Sequence, residues 1–159
     1  MVQVEGLETL LENHPFFEGF DADTLALLAG CGVNERFGPG DYVFHEGSDA
    51  DKVYIVRHGT VSIEAKVPGL DRVSLQTLQE DDVLGWSSLV TPYRYTFDAR
   101  AVSLLRVVSL DAACLRKKFE ADHELGYLVL NRVVAMMAER LQAARLQMLD
   151  LYQPKGGQM

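Results

Sequence analysis

Four short segments, Gly38-Pro39-Gly40-Asp41, Glu46-Gly47-Ser48-Asp49, Arg57-His58-Gly59-Thr60 and Pro68-Gly69-Leu70-Asp71, punctuate the first half of the region between residues 33 and 110. They recur about every 8 to 12 positions, the spacing of sandwiches and barrels. Gly and Asp supply the backbone shapes that other residues resist. Between and beyond these turns lie runs rich in Val, Ile, Tyr and Phe at 42–44, 53–56, 61–65, 73–78, 97–101 and 104–110, which read as strands. Many tight hairpins imply an antiparallel β roll, so the fold class is mainly β, a jelly-roll-like double-stranded β-helix with flanking helices.

The flanks have a different texture. Residues 4–13 place Val4, Leu7, Leu10 and Leu11 at helical spacing. Asp21 or Asp23 caps a second short helix through Leu25, Leu27 and Leu28 that ends at Gly30 or Gly32. After the roll, Asp111 caps a helix running to Phe119, and Asp122 caps a longer one that need not stop before Tyr152. The organisation is thus one domain over 1–152 (helices in 1–32, roll in 33–110, helices in 111–152), with 153–159 read as a loose tail.

In the last helix Tyr127, Leu130, Val134, Met137, Leu141, Ala144, Met148 and Leu151 are spaced alternately three and four apart, a coiled-coil seam of just over three heptads. The spacing favours pairing with a second copy, while Leu125, Leu128, Val133 and Leu149 offer a second apolar face for the roll. Packing of the seam on the chain's own core is the alternative.

Composition narrows the function. The 159 residues are 48% apolar and 24% charged, enough for one core. A net charge of −8 disfavours nucleic-acid backbones as partners. Two cysteines, Cys31 and Cys114, are too few for a disulfide scaffold or a four-thiolate metal site. They read as buried small hydrophobes in a reducing cytoplasm. No signal peptide, membrane span or lipidation motif is visible.

The segments Gly40-Asp41-Tyr42-Val43-Phe44-His45-Glu46-Gly47 and Val53-Tyr54-Ile55-Val56-Arg57-His58-Gly59-Thr60-Val61-Ser62-Ile63 resemble the pattern Gly…Glu-Gly…Ile-x-x-Gly-x-Val, with Val56 at the Ile position. With His14-Pro15-Phe16-Phe17 before the roll and Met137-Ala138-Glu139-Arg140-Leu141-Gln142 in the last helix, the chain resembles the cyclic-nucleotide-binding domain of the catabolite activator and Fnr superfamily over about 14–152. The resemblance implies a ligand phosphate held in a cassette that begins Gly-Glu, turns once as a helix and closes with Arg-Ser/Thr-Ala. A helical N-terminus and an Arg fork suit an anion, and the Glu suits a ribose hydroxyl.

Here that stretch runs from Gly85 to Ala101. Aligned without gaps, Trp86 stands at the Glu position and Tyr95 at the Arg position, so both hallmark polar contacts are missing. Gly85 with the N–H groups of Ser87 and Ser88 remains for an anion. Arg94 replaces the lost cation if the loop shifts by one residue, and Arg100 either joins it or neutralises Asp98. Trp86, Tyr93, Tyr95 and Phe97 either line an altered pocket with Ser87, Ser88 and Thr96 or shut it. Where the catabolite activator reads adenine with Thr-Ser, this chain has Ala144-Arg145. The resemblance therefore implies a ligand-sensing module for which a cyclic nucleotide or another small anion is the cofactor-like ligand, with standard cyclic AMP recognition weakened. The family's DNA-binding helix-turn-helix has no room in the few residues after Tyr152, and Arg116-Lys117-Lys118 reads as a solvated face.

Two rival classes lack their residues. A cupin metal enzyme needs His-x-His after Gly40, but position 47 is Gly, and His14, His45, His58 and His123 are scattered. Haem ligation by His45, His58 or Cys114 is singled out by nothing. Ser87 and Ser88 lack a nucleophile elbow, since Leu89 stands where Gly belongs. The expectation is a non-catalytic sensor paired through its last helix. The alternatives are a partner-docking dimer with a closed pocket and, more weakly, a cupin-like metal enzyme.

Overall fold

The computed structural model describes residues 3–152; the tail expected at 153–159 lies outside them. The chain opens with α1 (Gln3–Glu12), a 3-10 turn (Pro15–Phe17) and α2 (Ala22–Ala29). Eight strands follow: β1 (Gly32–Phe37), β2 (Tyr42–Phe44), β3 (Lys52–His58), β4 (Val61–Ala65), β5 (Val73–Leu78), β6 (Val83–Leu84), β7 (Asp98–Ala101) and β8 (Leu105–Asp111). A second 3-10 turn (Trp86–Leu89) stands between β6 and β7, and α3 (Ala112–Ala121) and α4 (His123–Leu151) close the chain.

The strands form two antiparallel four-stranded sheets, in the order β1-β8-β3-β6 and β2-β7-β4-β5. The first sheet packs on its inner face and on part of its outer face. Tyr54, Val56, Leu84, Leu105 and Val107 turn inward and meet Val61, Leu78, Ala99 and Ala101 of the second sheet. Val53, Ile55, Val108 and Leu110 turn outward under Leu11, Phe17, Leu25, Leu28, Leu115, Leu125 and Val129 of the helices. The roll is therefore a filled sandwich with a helical cover on part of one side.

The helix caps fall where the sequence puts them. The carboxylates of Asp21, Asp111 and Asp122 accept hydrogen bonds from the N–H groups of Thr24, Cys114 and Leu125. Each satisfies a donor that the first helical turn leaves free. In α4, Leu125, Val129 and Val133 are buried, whereas Leu128 and Leu149, expected on the core face, are exposed. Beyond Met136, which still packs on that core, the helix outruns the cover of its first turns.

Two expectations are corrected. Strands β1 and β6 were not anticipated, and the strand expected at 97–101 starts at Asp98. The cysteines are not separate thiols, because Cys31 and Cys114 form a disulfide that ties the α2–β1 junction to the first turn of α3. Both chain segments are already adjacent, since the Asp111 N–H donates to the Cys31 carbonyl at 2.8 Å. Paired in this way, the two cysteines no longer argue for a reducing compartment. No helix among the described residues is long and apolar enough to cross a membrane.

Candidate functional site

Between the second sheet, the Trp86 turn and α4 lies a cavity of about 750 Å³, within the range of sites that hold a small molecule. Its floor is Phe44, Ile63, Leu75, Leu78 and Leu84. One end is Gly85, Trp86 and Ser87, the rim is Tyr95, Thr96 and Phe97, and α4 supplies the wall through Val134, Met137, Arg140, Leu141 and Ala144.

Gly85 sets the geometry of the turn. Its φ of +86° is left-handed, and a Cβ there would stand 2.6 Å from the Lys52 carbonyl oxygen, so only glycine brings the turn this close to β3. Behind the turn, Ser88 is fully buried and bound inward. Its N–H and hydroxyl both donate to the Gly85 carbonyl, at 3.0 and 2.7 Å. Arg116 donates to the Ser88 carbonyl and lies 4.1 Å over the Tyr93 ring. Arg116 and Lys118, which donates to the Leu27 carbonyl, therefore brace the fold rather than sit on a merely solvated face.

Tyr95 is a framework residue. Its ring stacks on Phe44 at 3.8 Å with an 8° interplanar angle. Its hydroxyl donates to the Lys52 carbonyl at 2.9 Å and accepts from the Lys52 N–H at 3.3 Å. Burial raises the phenol pKa, as it does that of neighbouring Tyr54, so both stay neutral.

The candidate residues divide accordingly. Gly85, Trp86, Ser87, Tyr95 and Thr96 border the cavity; Ser88, Arg94 and Arg100 do not. The Ser88 N–H, expected to be free for an anion, is spent within its turn. Arg94 is held on the outside, its guanidinium donating to the Gly47 carbonyl at 2.9 Å and lying 3.3 Å from Asp49. Arg100 alternates to the outer face of β7 and grips Glu64 with a two-nitrogen fork, the shortest arm 2.7 Å, rather than neutralising Asp98. Asp98 pairs with Arg72 and accepts the Glu46 N–H at 2.8 Å.

The Arg100 fork holds the buried Glu64 carboxyl below its ordinary pKa of 4.5. A depressed carboxylate contributes stability that is complete above its unfolded pKa and disappears as pH falls through the lower folded one. Urea titrations between pH 7 and pH 3 are therefore expected to show a loss below about pH 4.5 that is smaller in Arg100→Ala, whose stability is already reduced at pH 7. Parallel profiles would contradict the pairing.

Arg140 is the cation of the cavity wall. It is half-buried, burial lowers its pKa with Asp82 opposing, and one arm is spent on the Val83 carbonyl. A guanidinium stays charged and carries five donors. The residue was overlooked because it was read as part of the Met137–Gln142 motif, yet helical periodicity sets Arg140 beside Met137, Leu141 and Ala144. Four residues of the heptad seam, Val134, Met137, Leu141 and Ala144, also line the cavity. Elsewhere the seam is bare: Leu130, Met148 and Leu151 are exposed, the last by 82%.

Comparison with known proteins fits this architecture. The sequence profile of the cyclic nucleotide-binding domain matches residues 34–122. A CRP-like cAMP-activated global transcriptional regulator of Mycobacterium tuberculosis is 26% identical over 145 residues, covering 91% of this chain and 63% of that protein. The chain thus spans less than two thirds of that relative. A solved structure from Geobacter metallireducens, of a protein named for cyclic nucleotide binding, superposes with a TM-score of 0.75 at 30% identity, covering 89% of this chain and 99% of that one. The regulatory subunit of a cAMP-independent protein kinase A from Trypanosoma cruzi, bound to guanosine, superposes with a TM-score of 0.67 at 25% identity, covering 79% and 42%.

Proposed function

The chain belongs to the cyclic nucleotide-binding domain family, and from that premise we propose that it is a non-catalytic ligand sensor whose anion contact has moved from the cassette to Arg140 on α4. Its ligand is a small molecule with an aromatic or aliphatic body and one anionic group. The body fits against Phe44, Ile63, Leu84, Trp86 and Phe97, and the anion reaches Arg140. Trp86 and Tyr95 at the two hallmark positions, with Arg94 and Arg100 engaged elsewhere, make cyclic AMP a poor ligand. The guanosine-bound Trypanosoma cruzi protein supports the reading that a cAMP-independent relative can accept a different ligand.

One observation carries the mechanism: the seam and the cavity share Val134, Met137, Leu141 and Ala144. The bare seam supports pairing of two copies through α4, burying Leu130, Met148 and Leu151 against a second helix. A ligand packed on the shared residues then changes the free energy of one helix arrangement relative to another, which is what coupling requires. The reading assigns no reaction to the protein.

Trp86 is the single tryptophan of the chain and lines the cavity, so its emission responds to a dye bound in or near it. Titration with the apolar anionic dye 1-anilinonaphthalene-8-sulfonate is expected to quench Trp86 by energy transfer at micromolar dye, with cyclic AMP and cyclic GMP leaving it unchanged. Quenching of equal strength at equal dye in Arg140→Gln would overturn the assignment of the cavity.

A further inference from the structure

The outer face of the first sheet carries the helices over only part of its area. Val53, Ile55, Val108 and Leu110 lie under them. Toward the β3–β4 turn, that same face bears basic groups in one row. Arg36 of β1 stands directly opposite Arg106 of β8, and Arg106 stands opposite His58 of β3. The register of β3 slips between Val56 and His58. Such a bulge sets two residues against one and re-aims a side chain. It sets His58 beside Arg57, which lies on this face by alternation with Val53 and Ile55 and whose guanidinium donates to the Asn34 side chain at 3.2 Å. Arg57, His58, Leu104 and Arg106 border a shallow depression of about 350 Å³.

Directly opposed like charges destabilise a strand pair. Among the described residues none of these four groups forms an ion pair with a carboxylate, although acidic side chains outnumber basic ones, 23 to 15. Arg36, His58 and Arg106 are exposed. The chain thus concentrates uncompensated cations on three adjacent strands, about 10 Å across.

From this we infer that the Arg36–Arg57–His58–Arg106 face is a docking surface for an acidic segment of a protein partner, whose carboxylates supply the missing counter-charges. The row accommodates two or three carboxylates. An extended nucleic acid would follow the patch onto a surface that is acidic overall, where repulsion opposes it. A small free anion would lie on an open face with nothing to enclose it. The surface lies on the opposite side of the first sheet from the interior that borders the ligand cavity, and the inference does not depend on what that cavity holds.

The test uses the full chain and a short fluorescein-labelled Glu/Ser peptide, with the matching Gln/Ser peptide, inorganic phosphate and a short DNA duplex as competitors, read by fluorescence anisotropy. Binding is expected for the Glu peptide alone. It should weaken about tenfold in Arg106→Ala or Arg36→Ala, the loss of one charge-assisted contact, and fall with added salt. The same variants should unfold at a higher temperature than the parent, because they remove a like-charge pair. That readout separates a lost contact from a lost fold. No binding, equal binding of the Gln peptide, full competition by phosphate or tighter binding of the duplex would each overturn the proposal. So would unchanged affinity in both variants.

Discussion

Gly59→Ala is expected to cost about 4 kcal/mol of stability, a large share of what a domain of this size possesses. Gly59 ends the β3–β4 hairpin with φ +100°, a conformation that L side chains resist, and a Cβ there would overlap the Leu104 carbonyl oxygen while lying 3.0 Å from the Leu105 Cα. The obstructing atoms are backbone at the start of β8, which pairs with both β1 and β3, so relief would require moving the central strand of the first sheet. Urea unfolding of the variant measures it. A loss below about 1 kcal/mol would mean that the hairpin relaxes freely and that the packing of Gly59 on Leu104 does not constrain the roll.

Opening the Cys31–Cys114 bridge is expected to cost about as much. The two cysteines are 83 residues apart in sequence, and a cross-link closing a loop of that length restricts the unfolded chain by roughly 4 kcal/mol in the loop-entropy account. The bridge joins α2 and β1 to α3, the elements that cap the helical side of the core. The urea midpoint of the oxidised protein should therefore fall when dithiothreitol is added. In a Cys31→Ala/Cys114→Ala variant the midpoint should start low and ignore the reductant. An oxidised protein whose midpoint does not respond to reduction would contradict a bridge in solution.

The roll and its helical flanks were legible because turn residues and caps are local signals. The carboxylates of Asp21, Asp111 and Asp122 each bind an N–H three positions further on. What escaped depends on distant partners. Strand β1, with the sequence GVNERF, carries mostly exposed side chains on an edge, and only its pairing with β8 makes it a strand. Strand β6 is two residues long. The disulfide joins segments 83 residues apart, a separation that spacing rules do not reach. The two faces of α4 were half readable. Leu125 and Val133 are buried as expected, but Leu128 and Leu149 are exposed, Leu128 because it lies to one side of the 125-129-133 stripe and Leu149 because the helix has by then left the roll.

The candidate site shows the same division. Its cassette end, Gly85 to Thr96, could be placed by alignment to the family pattern. Its cation could not, since the alignment draws attention to positions 86, 94, 95 and 100. The geometry instead brings Arg140 from the other end of the chain, 45 positions beyond Tyr95. Arg94 and Arg100 are charges with local employment, on Gly47 and Asp49 and on Glu64 respectively, and sequence alone does not reveal that the partners are already in place.

The most direct test of the account is calorimetric titration of 1-anilinonaphthalene-8-sulfonate and of cyclic AMP into the parent chain and into Arg140→Gln, Arg94→Ala and Arg100→Ala. Micromolar dye binding that weakens about tenfold in Arg140→Gln alone, the loss of one charge-assisted contact, with no heat from cyclic AMP in any protein, is the predicted result. Micromolar cyclic AMP binding that disappears in Arg94→Ala would contradict it, and would place the anion back in the cassette.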